Sequence, residues 1–112
     1  MAKVMITKKL EKEINKIFKS ESIKIFELLY SLKENPKKGK PVGNVGGIVI
    51  KELNYEKYRF YFITEGYKIK ILKTDELKDL MIKFVAMSDK KSQQKVIKEI
   101  KIVLRSLGTE GF

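Results

Sequence analysis

The spacing of apolar residues changes several times along the chain, and each change marks an element. Val4-Met5-Ile6 is a short apolar run that predicts a strand, and Thr7 after it is suited to cap a helix through its hydroxyl. Leu10, Ile14, Ile17 and Phe18 then recur at i, i+4, i+7, i+8, one face of a helix, while lysines fill the opposite side. Ser20 or Ser22 starts a second helix, with Ile25, Leu28, Leu29 and Leu32 on its apolar stripe. Asn35-Pro36 ends that helix, because the residue before a proline is driven out of the helical region. Two amphipathic helices with almost nothing between them predict an antiparallel helical hairpin.

Residues 36–47 hold four glycines and two prolines and predict a loop. Beyond it the period falls to two. Ile48–Leu53 is β-branched and apolar, and Tyr58–Ile63 is strongly β-prone, with Arg59 and Tyr61 on one face and Phe60 and Phe62 on the other. Glu65-Gly66 predicts a tight hairpin leading into a strand at Lys68–Leu72, which alternates plainly. Thr74 to Asp79 is a polar connection, and Leu80 to Met87 a further strand. Sequential strands with short turns imply an antiparallel meander. Asp89 then caps a last helix carrying Val96, Ile97, Ile100, Val103, Leu104 and Leu107 as a one-sided stripe, with Gly108 as its stop. That stripe either closes the core or pairs with a second chain.

The order is strand, two helices, about four strands and a helix: an α+β fold, with the N-terminal strand and helical hairpin packed on a small antiparallel sheet. A length of 112 residues fits one domain, 1–112. There is no internal repeat. No stretch has the length and apolarity of a transmembrane helix, and the lysine-rich start does not resemble a secretion signal, so the expected location is cytoplasmic.

Composition narrows the chemistry. Cysteine and histidine are both absent, which excludes disulfides, thiolate metal sites and the usual general base. The formal net charge is +11, and its distribution is more informative than its size. Residues 1–19 carry six lysines against two glutamates, and residues 33–51 and 90–101 each carry five against one. Residues 52–89 balance, with seven charges of each sign. Three basic segments suit a single anionic partner, either nucleic acid or an acidic protein.

Neither obvious motif survives inspection. The Gly43–Gly47 stretch follows a helix and precedes a strand, the reverse of phosphate-binding loops, and reads as a connector. Asp75, Glu76 and Asp79 lack the spacing of a calcium loop and read as a solvated turn. No metal or cofactor is expected. Arg59 is more informative, being one of only two arginines among 25 cations and lying in mid-strand. It suits a fixed bidentate contact to phosphate, or a salt bridge with Glu52 on a neighbouring strand. Lys90-Lys91 opens the last helix, where cations oppose the helix dipole and anion binding is one reason to keep them.

These features together resemble the RelE/ParE toxin superfamily, including its HigB branch, over nearly the whole chain. The residues that carry the resemblance are the hairpin ending in Leu32-Lys-Glu-Asn-Pro36 and the Gly/Lys loop after it. Next come Ile50-Lys-Glu-Leu53 leading to Tyr58-Arg59-Phe-Tyr61, and the strand-to-helix passage Phe84-Val-Ala-Met-Ser-Asp-Lys-Lys-Ser-Gln93. The resemblance implies a toxin of a type II toxin–antitoxin system, neutralised by a cognate antitoxin. It implies messenger-RNA cleavage, often at the ribosome, or, in the ParE branch, poisoning of DNA gyrase. Arg59 matches the family's active-site arginine. Lys51 approximates a basic position on the preceding strand, and Lys90 and Lys91 match the cations after the last strand. Lys37, Lys38, Lys40, Tyr55 and Tyr61 complete the expected RNA-binding set. Asn54 stands where the HigB-like pattern has arginine, and no tyrosine follows Lys91 in the last helix.

The implied reaction is metal-independent attack of a ribose 2′-OH on its own phosphate. A lysine crowded by Lys51, Arg59, Lys90 and Lys91 would serve as base, and Arg59 would hold the phosphorane charge. Tyr55 or Tyr61 would stack on a base or donate a proton. Two alternatives follow from the departures and the charge: a toxin that only binds a protein target, or a basic RNA-binding module. A homodimer or a toxin–antitoxin heterotetramer are the assemblies that fit.

Overall fold

The computed structural model describes all 112 residues. Strand β1 (Lys3–Ile6) leads into helices α1 (Lys8–Phe18) and α2 (Ser22–Tyr30), and strands β2 (Lys40–Val45), β3 (Ile48–Tyr55) and β4 (Tyr58–Glu65) follow. A short helix α3 (Gly66–Ile71) precedes β5 (Met81–Asp89) and the last helix α4 (Gln93–Leu107). The five strands form one sheet in the order β1-β5-β4-β3-β2. β2 to β5 pair antiparallel, as the meander predicts, whereas β1 lies parallel to β5. The α+β class stands, and the sheet is mixed rather than wholly antiparallel.

The central strand explains the layering. Residues 60–64 of β4 are all buried, so both faces of the sheet are covered. On one face Phe60, Phe62, Leu53 and Phe84 pack under Leu10 and Ile14 of α1 and Ile25 and Leu29 of α2. On the other, Tyr61, Ile63, Ile50 and Val85 pack under Ile97, Ile100 and Leu104 of α4. The α4 stripe therefore closes a core, although its last member, Leu107, is exposed. A bulge places Tyr61 opposite Ala86 and Phe62 opposite Phe84, so Val85 is the extra residue and turns toward α4. Thr7 caps α1, its Oγ accepting from the Leu10 amide at 3.3 Å.

Two segments differ from the sequence reading. Within the predicted loop, Lys40–Val45 forms the edge strand β2, joined to β3 by the Gly46-Gly47 turn. Its proline and glycines suit an edge: Pro41 cannot donate to a ladder, and the register shifts between Pro41 and Gly43. A side chain at Gly43 would lie 2.7 Å from Lys101 Cε, so the glycine makes room for that lysine's stem. The predicted Lys68–Leu72 strand is instead α3. Both edges of β4 are already occupied by β3 and β5, so the segment cannot pair with β4 as the predicted hairpin requires. It coils back, with Ile69 and Leu72 against the core and Lys68 Nζ 2.8 Å from Glu65 Oε2.

No helix is long and apolar enough to cross a membrane. Phe62 is fully buried, with its ring centroid 4.9 Å from that of Phe84. Phe62→Ala should therefore cost about 3–5 kcal/mol, a large share of a small domain's stability, read as a lowered urea midpoint.

Candidate nucleic-acid interface

The β3–β4 hairpin decides which side chains meet. Its turn is only two residues, Glu56 and Lys57, and Glu56 has a left-handed φ of 53°. Positive φ at the first turn residue matches the twist of a tight hairpin, and glycine normally takes that position. The resulting register sets Asn54 opposite Arg59, Glu52 opposite Tyr61 and Lys51 opposite Phe62. β5 continues these rows with Ser88 beside Arg59 and Ala86 beside Tyr61. Directly paired residues share a face, so Asn54, Glu52, Arg59, Tyr61 and Ser88 all lie on the α4 side.

On that face Arg59 Nη1 donates to the backbone carbonyls of Tyr58, at 3.1 Å, and Glu56, at 3.3 Å. Glu52 is only 5% exposed, and its Oε2 accepts from Gln93 Nε2 at 3.0 Å. The salt bridge considered between Arg59 and Glu52 does not form: the only ion pairs are Lys3–Asp79 and Lys68–Glu65. Tyr61 and Ser88 share a buried hydrogen bond of 2.8 Å between their hydroxyls. Burial raises the Tyr61 phenol above its ordinary value, opposed by the Ser88 bond, so it stays protonated at neutral pH.

The turn carrying Lys90 and Lys91 follows at the same end of the sheet. It is tied by Asp89, whose Oδ1 accepts from the Ser92 amide at 2.9 Å and the Ser92 hydroxyl at 2.8 Å. These bonds hold the Asp89 carboxyl below its ordinary value. α4 begins only at Gln93, so Asp89 fixes the turn before the helix, and the capping position is Ser92. Both lysines are exposed. Lys40, opposite Glu52 on the edge strand, shares the α4 face.

Four of the expected site residues lie elsewhere. Lys51 points to the opposite face, 3% exposed, with its Nζ donating to the Lys37 carbonyl at 2.9 Å and lying 5.8 Å from the Phe62 ring centre. A strand's period of two makes this unavoidable once Glu52 faces α4. The crowded lysine expected to act as base is therefore not beside Arg59. Burial, and then Lys37, lower the Lys51 ammonium from its ordinary value. Tyr55 is also on the hairpin side, edge-on to Phe18. Lys37 and Lys38 line a shallow concavity with Asn35 and Thr74, away from Arg59. Tyr61 is on the right face, but it is completely buried and offers no ring for a base to stack on.

Sequence reasoning passed over Gln93 and Ser88 as members of this face and gave Glu52 only as an ion-pair partner. The two-residue turn was the available clue, since counting back from it gives every cross-strand pair. It also passed over Lys98, Lys101 and Arg105, which share one side of α4 at i, i+3, i+7. Comparison with protein-family models, curated proteins and solved structures finds no match to this chain.

Lys51 supplies a test of this geometry. A lysine whose folded pKa is lowered binds fewer protons folded than unfolded between that pKa and about 10.5, so its contribution to stability improves as pH rises through this range. Lys51→Met should fold, and the stability of wild type relative to the variant should rise between neutral pH and pH ~10. Urea titrations across that range read the difference; a constant difference would contradict the buried, partly desolvated ammonium.

Proposed function

We propose that this chain is a toxin of the RelE/ParE kind, acting in the cytoplasm as part of a type II toxin–antitoxin system. It engages RNA through the Arg59 face and cleaves messenger RNA at the ribosome, and a cognate antitoxin restrains it. The observation that carries the reading is the state of Arg59. Its guanidinium is anchored by two backbone carbonyls and paired with no carboxylate, so its charge remains available to an anion. The exposed Lys90/Lys91 turn at the same end of the sheet supports it, as do Lys40 and the cations of α4.

In the cleavage step, the ribose 2′-OH attacks the adjacent phosphorus as it loses its proton, the P–O5′ bond breaks, and the departing O5′ takes a proton from water, giving a cyclic phosphate and a 5′-hydroxyl. Arg59 offsets the charge developing on the phosphorane. A proton must leave the 2′-OH, and on this face Glu52 is the one carboxylate with that capacity. Gln93 fixes its position. Lys51 has no part in this version, because it serves the other face.

The placement of Lys51 and Tyr61 favours a second reading. With Lys51 turned away and Tyr61 buried, a toxin that binds a protein target without cutting RNA, as the ParE branch does with gyrase, needs only the basic surface.

Inducible expression of wild type beside Arg59→Ala, with growth and message integrity followed together, separates the two. The cleavage reading expects growth arrest with message loss in wild type. In the variant, cleavage should fall about 10²–10³-fold, as when one charge-stabilising group is removed from an active site. Arrest with intact message supports the binding toxin. Undiminished cleavage by Arg59→Ala would overturn the role given to that residue.

A further inference from the structure

Helix α1 lies on the face of the sheet away from Arg59, and its charges are sorted with unusual strictness. At 3.6 residues per turn, Lys8, Lys9, Lys12 and Lys16 fall within an arc of about 100°. Leu10 and Ile14, the two fully buried residues of the helix, point the opposite way. Glu11 and Glu13 flank the arc and do not interrupt it. All four lysines are exposed, and none is ion-paired.

Lys8–Lys12 and Lys12–Lys16 are like-charge pairs at i, i+4, which disfavour the helix, while Lys9–Glu13, Glu13–Lys16 and the cation in the last turn favour it. Local pairing along the helix is thus roughly balanced and does not account for gathering four lysines on one arc.

The spacing identifies a partner. Lysines four residues apart rise about 6 Å along the helix, close to the separation of neighbouring phosphates along a nucleic-acid strand. Lysine, rather than arginine, suits a point-charge contact with no fixed fork geometry, which follows a backbone without reading bases. A membrane surface fits poorly, because the apolar stripe of α1 is already committed to the core. We propose that the lysine ridge of α1 is an RNA-docking surface that grips the sugar–phosphate backbone of folded RNA regardless of sequence. The chain thus presents separate basic surfaces on the two sides of its sheet. This surface does not depend on the toxin reading or on Arg59.

Fluorescence anisotropy with two labelled RNA hairpins of unrelated sequence, titrated between 50 and 200 mM salt (about the range where phosphate contacts dominate), tests it. Wild type should bind both hairpins alike. Lys8→Ala/Lys12→Ala/Lys16→Ala should bind more weakly, and the slope of log affinity against log salt should shrink by about 2–3, one for each phosphate left without its lysine. The variant's melting temperature should stay close to wild type, because the three side chains are exposed and alanine is a good helix former. The charge-matched control Lys70→Ala/Lys73→Ala/Lys78→Ala, whose three lysines are exposed around and beyond α3, should keep the wild-type slope. An unchanged slope in the α1 variant would overturn the proposal, as would equal weakening in the α1 variant and the control. Tighter binding of polyglutamate than of either hairpin would also overturn it, in favour of an acidic protein partner.

Discussion

The hydrogen-bonded register between β3 and β4 is the constraint on which the other features rest. Side chains alternate along a strand, so shifting the pairing by one residue would send Phe60 and Phe62 toward α4 and Tyr61 toward the helical hairpin. Neither core would then close. A two-residue turn holds the register, and it requires a left-handed residue that this chain supplies as Glu56. Arg59 donates to the carbonyls of Glu56 and Tyr58, so the half-buried guanidinium of this face is also tied to the turn that sets the sheet.

The second organising fact is the segregation of charge. With 25 cations and 14 acids, many surface ion pairs could form, yet only two do, and both involve substantially exposed side chains. Exposed pairs contribute little to folding, so the lysines are not kept for stability. Those of α1, and Lys95 and Lys98 of α4, lie on the side of their helix away from its buried apolar stripe. Each helix thus buries one stripe and presents the other to solvent, and two oppositely directed basic surfaces follow from one sheet covered on both faces.

Much of this was legible in the chain, and the exceptions have physical causes. Helical spacing in α1, α2 and α4 and alternation in β3 and β4 gave the elements, because each has a single buried stripe or face that local periodicity reports. β2 was hidden by Pro41 and its glycines, which are breakers in isolation but are tolerated in an edge strand with one open side. The alternation of Lys68-Ile-Lys-Ile-Leu72 predicted a strand, yet a strand needs a neighbour, and neighbour availability is not a local property. The parallel pairing of β1 with β5 joins residues nearly eighty positions apart and has no local signature. Arg59 lies within β4 as its alternation predicts, whereas Lys90 and Lys91, expected to open the last helix, sit in the turn before it because the helix starts only at Gln93. Lys51 was misplaced because a motif match tolerates an offset of one residue, whereas a strand reverses its meaning with that offset.

That reversal bears on what the interface can do. On the α4 face, the positions of β3 beside Arg59 and Tyr61 are Asn54 and Glu52, an amide and a carboxylate. The cations near Arg59 come from the β5–α4 turn and from the edge strand, and both stand in solvent. Electrostatic attraction of an anion is therefore built mainly from exposed, flexible charges, with Arg59 as the one anchored donor. Such a surface favours binding over the tight, dry confinement that strengthens charge stabilisation in catalysis. Any cleavage must rely on the buried Glu52–Gln93 pair, the one proton-accepting group on this face that is held in place. The chemistry of the site thus turns on whether that carboxylate, buried against Gln93, can be reached by an anion drawn to the exposed cations around Arg59.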